Sequence, residues 1–181
     1  VKGPAGEASL QPEVYGPVLE ALAADAYVAK TLRQLSAAVP AMLYDDLVQA
    51  LAVLVGMGAA APCQSEAAER LVQARCSTLN LQLCKRSLLS DKIQTLASPV
   101  TGGGVVVSRF HQLFLIAIKQ GKNHPMEWAQ LAWAVLAEQG VVLVKDNQPL
   151  TTAEENIAEL TEQAHAFAAS SLIILMALNI V

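Results

Sequence analysis

The sequence predicts a mainly α-helical fold with short β-hairpins, an α+β arrangement that accommodates two winged-helix-like units joined by a long helix. Three observations carry this expectation. The apolar content comes largely from Ala and Leu, which favour helix over sheet. Apolar residues recur at helical spacing (i, i+3, i+4, i+7) in several separate segments. Between those segments stand Gly, Pro and Asp-Asn punctuation and short β-branched runs, the composition of turns and hairpins.

Taken in order, Val1–Leu10 reads as a hairpin around Gly3-Pro4-Ala5-Gly6. From Pro12 the period is helical through Val14, Val18 and Leu22, with Pro17 tolerable only near a helix start. Val28, Leu32, Leu35 and Val39 predict a second helix, which Pro40 stops. Leu47, Ala50, Leu51, Leu54 and Val55 form a complete stripe ended by Gly56 and Gly58. An extended exit, Ala59–Pro62, leads to Ser65, a candidate cap for a long helix running to about Leu89. Ala97–Gly104 reads as a loop and Val105–Val107 as a brief strand. Ser108 caps a helix with the stripe Phe110, Leu113, Phe114, Ala117 and Ile118, ended by Gly121. Pro125 opens another, with the stripe Trp128, Leu131, Ala132, Val135 and Leu136, closed by Gly140. Val141–Val144, Asp146-Asn147 and Gln148–Leu150 predict a hairpin. Thr151-Thr152-Ala153-Glu154-Glu155 offers two overlapping capping boxes for a last helix with the stripe Ile157, Leu160, Ala164 and Phe167. Residues 50–58 (ALAVLVGMG) echo residues 132–140 (AWAVLAEQG), and each follows a helix and precedes an extended segment. The expected units are residues 1–95, including the long connecting helix, and residues 96–181, together one module excised from a longer chain.

Composition narrows the class. The chain has 181 residues, 54% hydrophobic, 15% charged and 4% aromatic, with mean hydropathy +0.39. A disordered chain has the opposite balance, and a collagen-like one far more than 10 Gly and 8 Pro. Cys63, Cys76 and Cys84 are odd in number and lack CxxC spacing, as expected of reduced thiols in a cytoplasmic protein rather than a disulfide, metal or redox site. The start VKGPAGEASL has neither an initiator Met nor an apolar signal core. The apolar end, Ala164–Val181, is interrupted by His165, Ser170, Ser171 and Asn179, so a packed helix is expected there rather than a membrane span.

Charge is segregated. Residues 1–69 hold three basic and eight acidic side chains, a net of −5. Residues 70–122 hold eight basic and one acidic, a net of +7, and residues 123–181 one basic and seven acidic, a net of −6. Such blocks complement one another within a fold or form a docking face for an acidic partner. The partner-contact candidates are Arg75, Lys85, Arg86, Lys92 and Arg109, with Trp133. At about 100° per residue Trp133 lies roughly 140° from the stripe residue Trp128, so it faces a second layer of this chain or another domain.

Catalytic, cofactor and metal motifs do not emerge. Thr101-Gly102-Gly103-Gly104 precedes a strand and matches neither a phosphate loop nor a dinucleotide fingerprint. His111, His124 and His165 form no metal spacing, and no Ser lies in GxSxG. Glu127 and Glu138 read as a solvated helix face. The helix-helix-wing order raises DNA binding, but the would-be recognition helices, 44–55 and 126–139, contain acids and no Lys or Arg.

Several segments together resemble a known family. They are residues 3–10 (GPAGEASL), 96–107 (LASPVTGGGVVV), 112–121 (QLFLIAIKQG), 129–150 (AQLAWAVLAEQGVVLVKDNQPL) and 151–167 (TTAEENIAELTEQAHAF). They are similar to the methyltransferase regulatory domain, found C-terminal to the catalytic domain in a group of bacterial S-adenosylmethionine-dependent methyltransferases. The most specific parts are Ser98–Gly103, Trp133 with Leu136 and Gly140, and Pro149-Leu150 with Glu154-Glu155-Asn156. The resemblance implies a non-catalytic regulatory or interaction domain that packs on its catalytic domain or on a second copy. It implies S-adenosylmethionine in a preceding domain, with no catalytic, cofactor or metal residue here. Consistent with that implication, the chain lacks the acidic, Gly-rich loop after a first strand that a class I methyltransferase needs. The alternative is a winged-helix DNA-binding transcription regulator.

Overall fold

Two short antiparallel strands open the chain in the computed structural model, which describes residues 2–3, 6–7 and 10–181. Strand β1 (Lys2–Gly3) pairs with β2 (Gly6–Glu7), Lys2 opposite Glu7; the Pro4-Ala5 turn expected between them lies outside the described residues. The chain divides into two units, Val1–Gln64 and Ser65–Val181.

In the first unit, α1 (Pro12–Ala23) begins on a proline, whose missing N–H costs nothing there. It runs through Pro17, contrary to the expectation that Pro17 sits only near a start; the Glu13 carbonyl thereby loses its usual donor. The next helix starts later than the stripe predicts. Asp25, Ala26 and Tyr27 adopt positive φ (55°, 55° and 63°), a left-handed turn costly for residues other than Gly. Lys30 closes it by donating to the carbonyls of Ala24 (2.6 Å) and Val28 (3.2 Å). Val28 is therefore exposed, and α2 (Leu32–Ala38) begins after Thr31, which forms a capping box with Gln34. Helix α3 (Tyr44–Gly56) buries Leu47, Ala50 and Leu54 against Val18, Ala21, Leu35 and Val39, while Val55 turns to solvent. Residues 59–65 leave without a described strand, so the winged-helix expectation for this half finds its helices but no paired wing.

The second unit begins with α4 (Glu66–Ser87), capped by Ser65 through the Ala68 amide. This helix packs against β3 (Thr95–Ser98) and α5 (Arg109–Lys119). The boundary consequently falls at Gln64/Ser65, not at 95/96, and the long helix belongs to the second unit. The expected loop 97–104 is also shorter. β3 pairs with β4 (Gly103–Val106) from Thr95↔Val106 to Ser98↔Gly103, leaving a tight turn with Gly102 at φ +69°.

Helix α5 is buried on nearly every side from Gln112 to Ala117. Helix α6 (Pro125–Glu138) starts where Pro125 predicts. Glu127, expected on a solvated face, instead reaches back to accept from the amides of Asn123 and His124 (3.0 Å each). Strands β5 (Val144–Lys145) and β6 (Gln148–Pro149) form the predicted hairpin, narrower than the span 141–150, with Asp146 and Asn147 at positive φ in its turn. In α7 (Ala153–Ala166) the second of the two capping boxes forms, Thr152 with Glu155. A π-turn, Phe167–Ser171, joins α7 to α8 (Leu172–Ala177) without a break.

The fold is thus mainly α with short antiparallel hairpins, as predicted. By length and composition alone, Ala153–Ala177 is long and apolar enough to cross a membrane. Within the fold Leu160, Ala164, Phe167 and Leu175 are buried in the core of the second unit. Phe167 centres an aromatic cluster, with ring centroids 4.6 Å from His111, 5.6 Å from Phe114 and 6.2 Å from Trp128.

The sequence echo is also a structural one. Ala59 N–H donates to the Leu54 carbonyl across Gly58 (φ +75°), and Val141 N–H to the Leu136 carbonyl across Gly140 (φ +67°). Both are Schellman-type ends, in which the left-handed residue admits glycine readily.

Candidate functional site

Helix α4 turns Val72, Cys76, Asn80, Leu83, Cys84 and Ser87 inward and leaves the basic candidates outside. Arg75, Lys85 and Arg86 are exposed and make no ion pair among the described residues, unlike Arg70, which pairs with Glu66 at 2.9 Å. At 100° per residue Arg75 and Arg86 lie about 20° apart around the helix and about 16 Å apart along it. Leu71 (80% exposed) and Leu79 (49%) share that side. Lys85 and Arg86 occupy the last turn, where cations favour the helix dipole. Lys92 is exposed in the turn that follows.

The other two candidates are placed differently. Arg109 is half-buried: its Nε donates to the Ser87 carbonyl (2.8 Å) and Nη2 to Gln139 Oε1 (2.6 Å). Gln139 in turn donates to the Leu88 carbonyl, so Arg109 ties the ends of α4 and α6 to the start of α5. Trp133 is half-buried against the core of the second unit, so the layer it faces is supplied by this chain.

The residues carrying the family resemblance hold backbone together. Ser98 Oγ donates to the Leu178 carbonyl (2.9 Å) and accepts from Thr101 N–H (3.2 Å). Asn156, fully buried, accepts from Leu143 N–H (2.8 Å) and donates to the carbonyls of Leu150 (3.0 Å) and Thr152 (2.7 Å). Lys145 of the hairpin pairs with Glu159 (2.6 Å) and Glu162 (3.1 Å) of α7, which raises the lysine pKa and lowers that of Glu159.

Asn80 and Gln112 are buried polar side chains that sequence reasoning did not single out; Asn156 it singled out for the resemblance but not for its burial. Asn80 binds both backbone groups of Ala97 and the Ile180 carbonyl. Gln112 donates to the carbonyls of Ile93 and Val107. Their signal was present: each is a polar residue at an inward position of a helix, where only a partner makes burial affordable.

The sequence also gave no hint of a groove in the first unit. Its volume is ≈ 930 Å³. Residues 13–21 of α1 form one wall and Asp46, Gln49, Ala50 and Val53 of α3 another, with residues 38–42 between. Its described lining includes the carboxylates of Glu13, Glu20 and Asp46 and contains neither Lys nor Arg.

Nucleophile chemistry finds little support. Burial pushes the Cys84 thiol up to about 11, with Lys119 opposing, so the reactive thiolate is suppressed at neutral pH. Burial among rings lowers the His111 pKa. Among the described residues no three His, Cys, Asp or Glu side chains gather as metal ligands would.

Comparison with known proteins adds one relative. The chain is 33% identical over 177 residues to an uncharacterized protein of Synechocystis sp., an alignment covering 98% of this chain and 34% of that protein. The chain thus spans about a third of the length of the relative it matches. No family model and no solved structure matches it.

Proposed function

We propose that this chain is a non-catalytic regulatory domain of a bacterial S-adenosylmethionine-dependent methyltransferase, packing on the catalytic domain or on a second copy. The observation that carries this reading is the role of the residues in the family-like segments. Ser98, Gly102, Gly140, Glu155 and Asn156 act as caps, turns and backbone ties rather than converging on a reaction centre. A domain identified by such residues is identified by its architecture. The match to a relative about three times as long supports a setting within a larger polypeptide. The exposed face of α4, with Arg75, Lys85 and Arg86 beside Leu71 and Leu79, suits an acidic, partly apolar partner surface.

The duplex-binding alternative draws on the order α5, α6, hairpin. Against it, α6 holds Glu127 and Glu138 and no Lys or Arg, and the hairpin's Lys145 is already held by two glutamates. Salt-dependent binding of this chain to duplex DNA would restore that reading; a flat titration at low salt is expected.

Two measurements test the proposal. The reading frame upstream of Val1 is expected to encode an S-adenosylmethionine-binding domain; a start codon directly before Val1 would overturn the proposal. Calorimetry of the 181-residue chain with S-adenosylmethionine is expected to show no heat of binding, and affinity in the micromolar range would also overturn it.

A further inference from the structure

The groove of the first unit lies outside every surface discussed for regulation. We infer that it is a docking site for a basic amphipathic helix, a partner with an apolar stripe flanked by Lys or Arg. The inference is independent of the methyltransferase reading.

Charge complementarity sets the partner's sign. Glu13 and Glu20 on α1 and Asp46 on α3 all line the groove, and all three are exposed. The described lining contains no cation to neutralise them. Pro17 lies between the two glutamates and also lines the groove. Lacking an N–H, it withholds a donor from the Glu13 carbonyl and so leaves a further acceptor on this helix. An anionic partner would meet three carboxylates, with only the neutral donors of Tyr15 and Gln49 in the described lining to offset them.

Shape sets the partner's form. Val14, Ala21, Val39, Met42, Ala50 and Val53 supply apolar lining, which calls for an apolar stripe on the occupant. The groove follows α1 from Glu13 to Ala21, a length that about two turns of a helix laid alongside would match. Glu13 and Glu20 are separated by two turns of α1, about 10 Å along the axis. The matching partner therefore carries cations at i and i+7.

The test uses the 181-residue chain and three labelled synthetic helices, read by fluorescence anisotropy. One peptide has Leu at i, i+3, i+4 and i+7 with flanking Lys. A second replaces Lys with Glu, and a third keeps Lys but replaces Leu with Gln. The Leu/Lys peptide is expected to bind and the other two not to. Exposed ion pairs each contribute modestly but add up over three sites, so the neutral triple variant Glu13→Gln, Glu20→Gln, Asp46→Asn is expected to bind about tenfold more weakly. Val53→Asn is expected to weaken binding through the apolar lining without changing the groove's charge, with circular dichroism confirming that both variants fold. Absence of binding at about 100 μM peptide, far weaker than a specific docking contact, would overturn the inference. So would equal binding of the Lys/Gln peptide, or affinity unchanged in both variants.

Discussion

Replacing Asn156 by Ala is expected to destabilise the second unit by about 3–5 kcal/mol. The side chain is fully buried and closes the base of the β5–β6 hairpin. Truncation strands the buried Leu143 N–H and the Leu150 carbonyl, each costing about 1–3 kcal/mol when left without a partner. The Thr152 carbonyl keeps the backbone bond from Asn156 N–H, so it adds little. A small packing loss brings the sum to the stated range. Urea unfolding followed by tryptophan fluorescence reads this unit alone, because Trp128 and Trp133 are the chain's two tryptophans and both lie in it. Hydrogen exchange at Leu143 is expected to accelerate. Asn156→Asp is expected to do no better than Ala at neutral pH, since a carboxylate accepts from Leu143 but repels both carbonyls. A loss below about 1 kcal/mol for Asn156→Ala, with an unchanged denaturant slope, would refute the reasoning.

Three further substitutions probe other links. Leu54→Ala empties a fully buried site in the first unit and is expected to cost that unit about 2–5 kcal/mol, while the tryptophan-detected transition of the second stays in place. Gly104→Ala would set a Cβ 2.5 Å from Thr95 Cγ2, so Thr95 must leave its rotamer, which β-branching restricts, or the two strands must shift. A cost of about 1–3 kcal/mol is expected, and Thr95→Ala in the same chain should recover most of it in a double-mutant cycle. His111 is held neutral by burial, so its folded pKa lies below 6.5. That contribution is present above the unfolded pKa and lost as pH falls through the folded one, because the unfolded state then binds more protons. His111→Phe should therefore flatten the loss of stability below pH 6.5 in urea titrations at stepped pH.

Legibility in the sequence followed the range of the forces involved. Ser65, Ser108, Thr152 and Pro125 sit at helix starts because their action needs only the next three amides or the absence of one. Gly58, Gly121 and Gly140 end helices by admitting positive φ at a single residue. The Asp146-Asn147 turn is equally local. These are the elements that the sequence placed within a residue or two. Failures came where a distant partner decided. Val28 left its helix because Lys30 stabilises a left-handed turn that no propensity favours. Ala97 and Ser98 of β3 and Gly103-Gly104 of β4 read as loop because so short a run carries no readable alternation until the two strands pair. Arg109 resembled a surface cation until its partners, the Ser87 carbonyl and Gln139, came within reach.

By itself the sequence determined the class: helices, their caps and turns, the segregation of charge, and a likeness carried by short motifs. These depend on contacts within about four residues and on composition. The tertiary structure alone decided where the chain divides, because α4 joins the second unit through contacts with β3, α5 and the Ile180 carbonyl, all distant in sequence or unformed before folding. It alone showed which polar side chains are buried and satisfied, since Asn80, Gln112 and Asn156 require carbonyls brought in by folding. It alone formed the acidic groove, because Glu13, Glu20 and Asp46 are separated along the chain and share a cavity only once α1 and α3 pack.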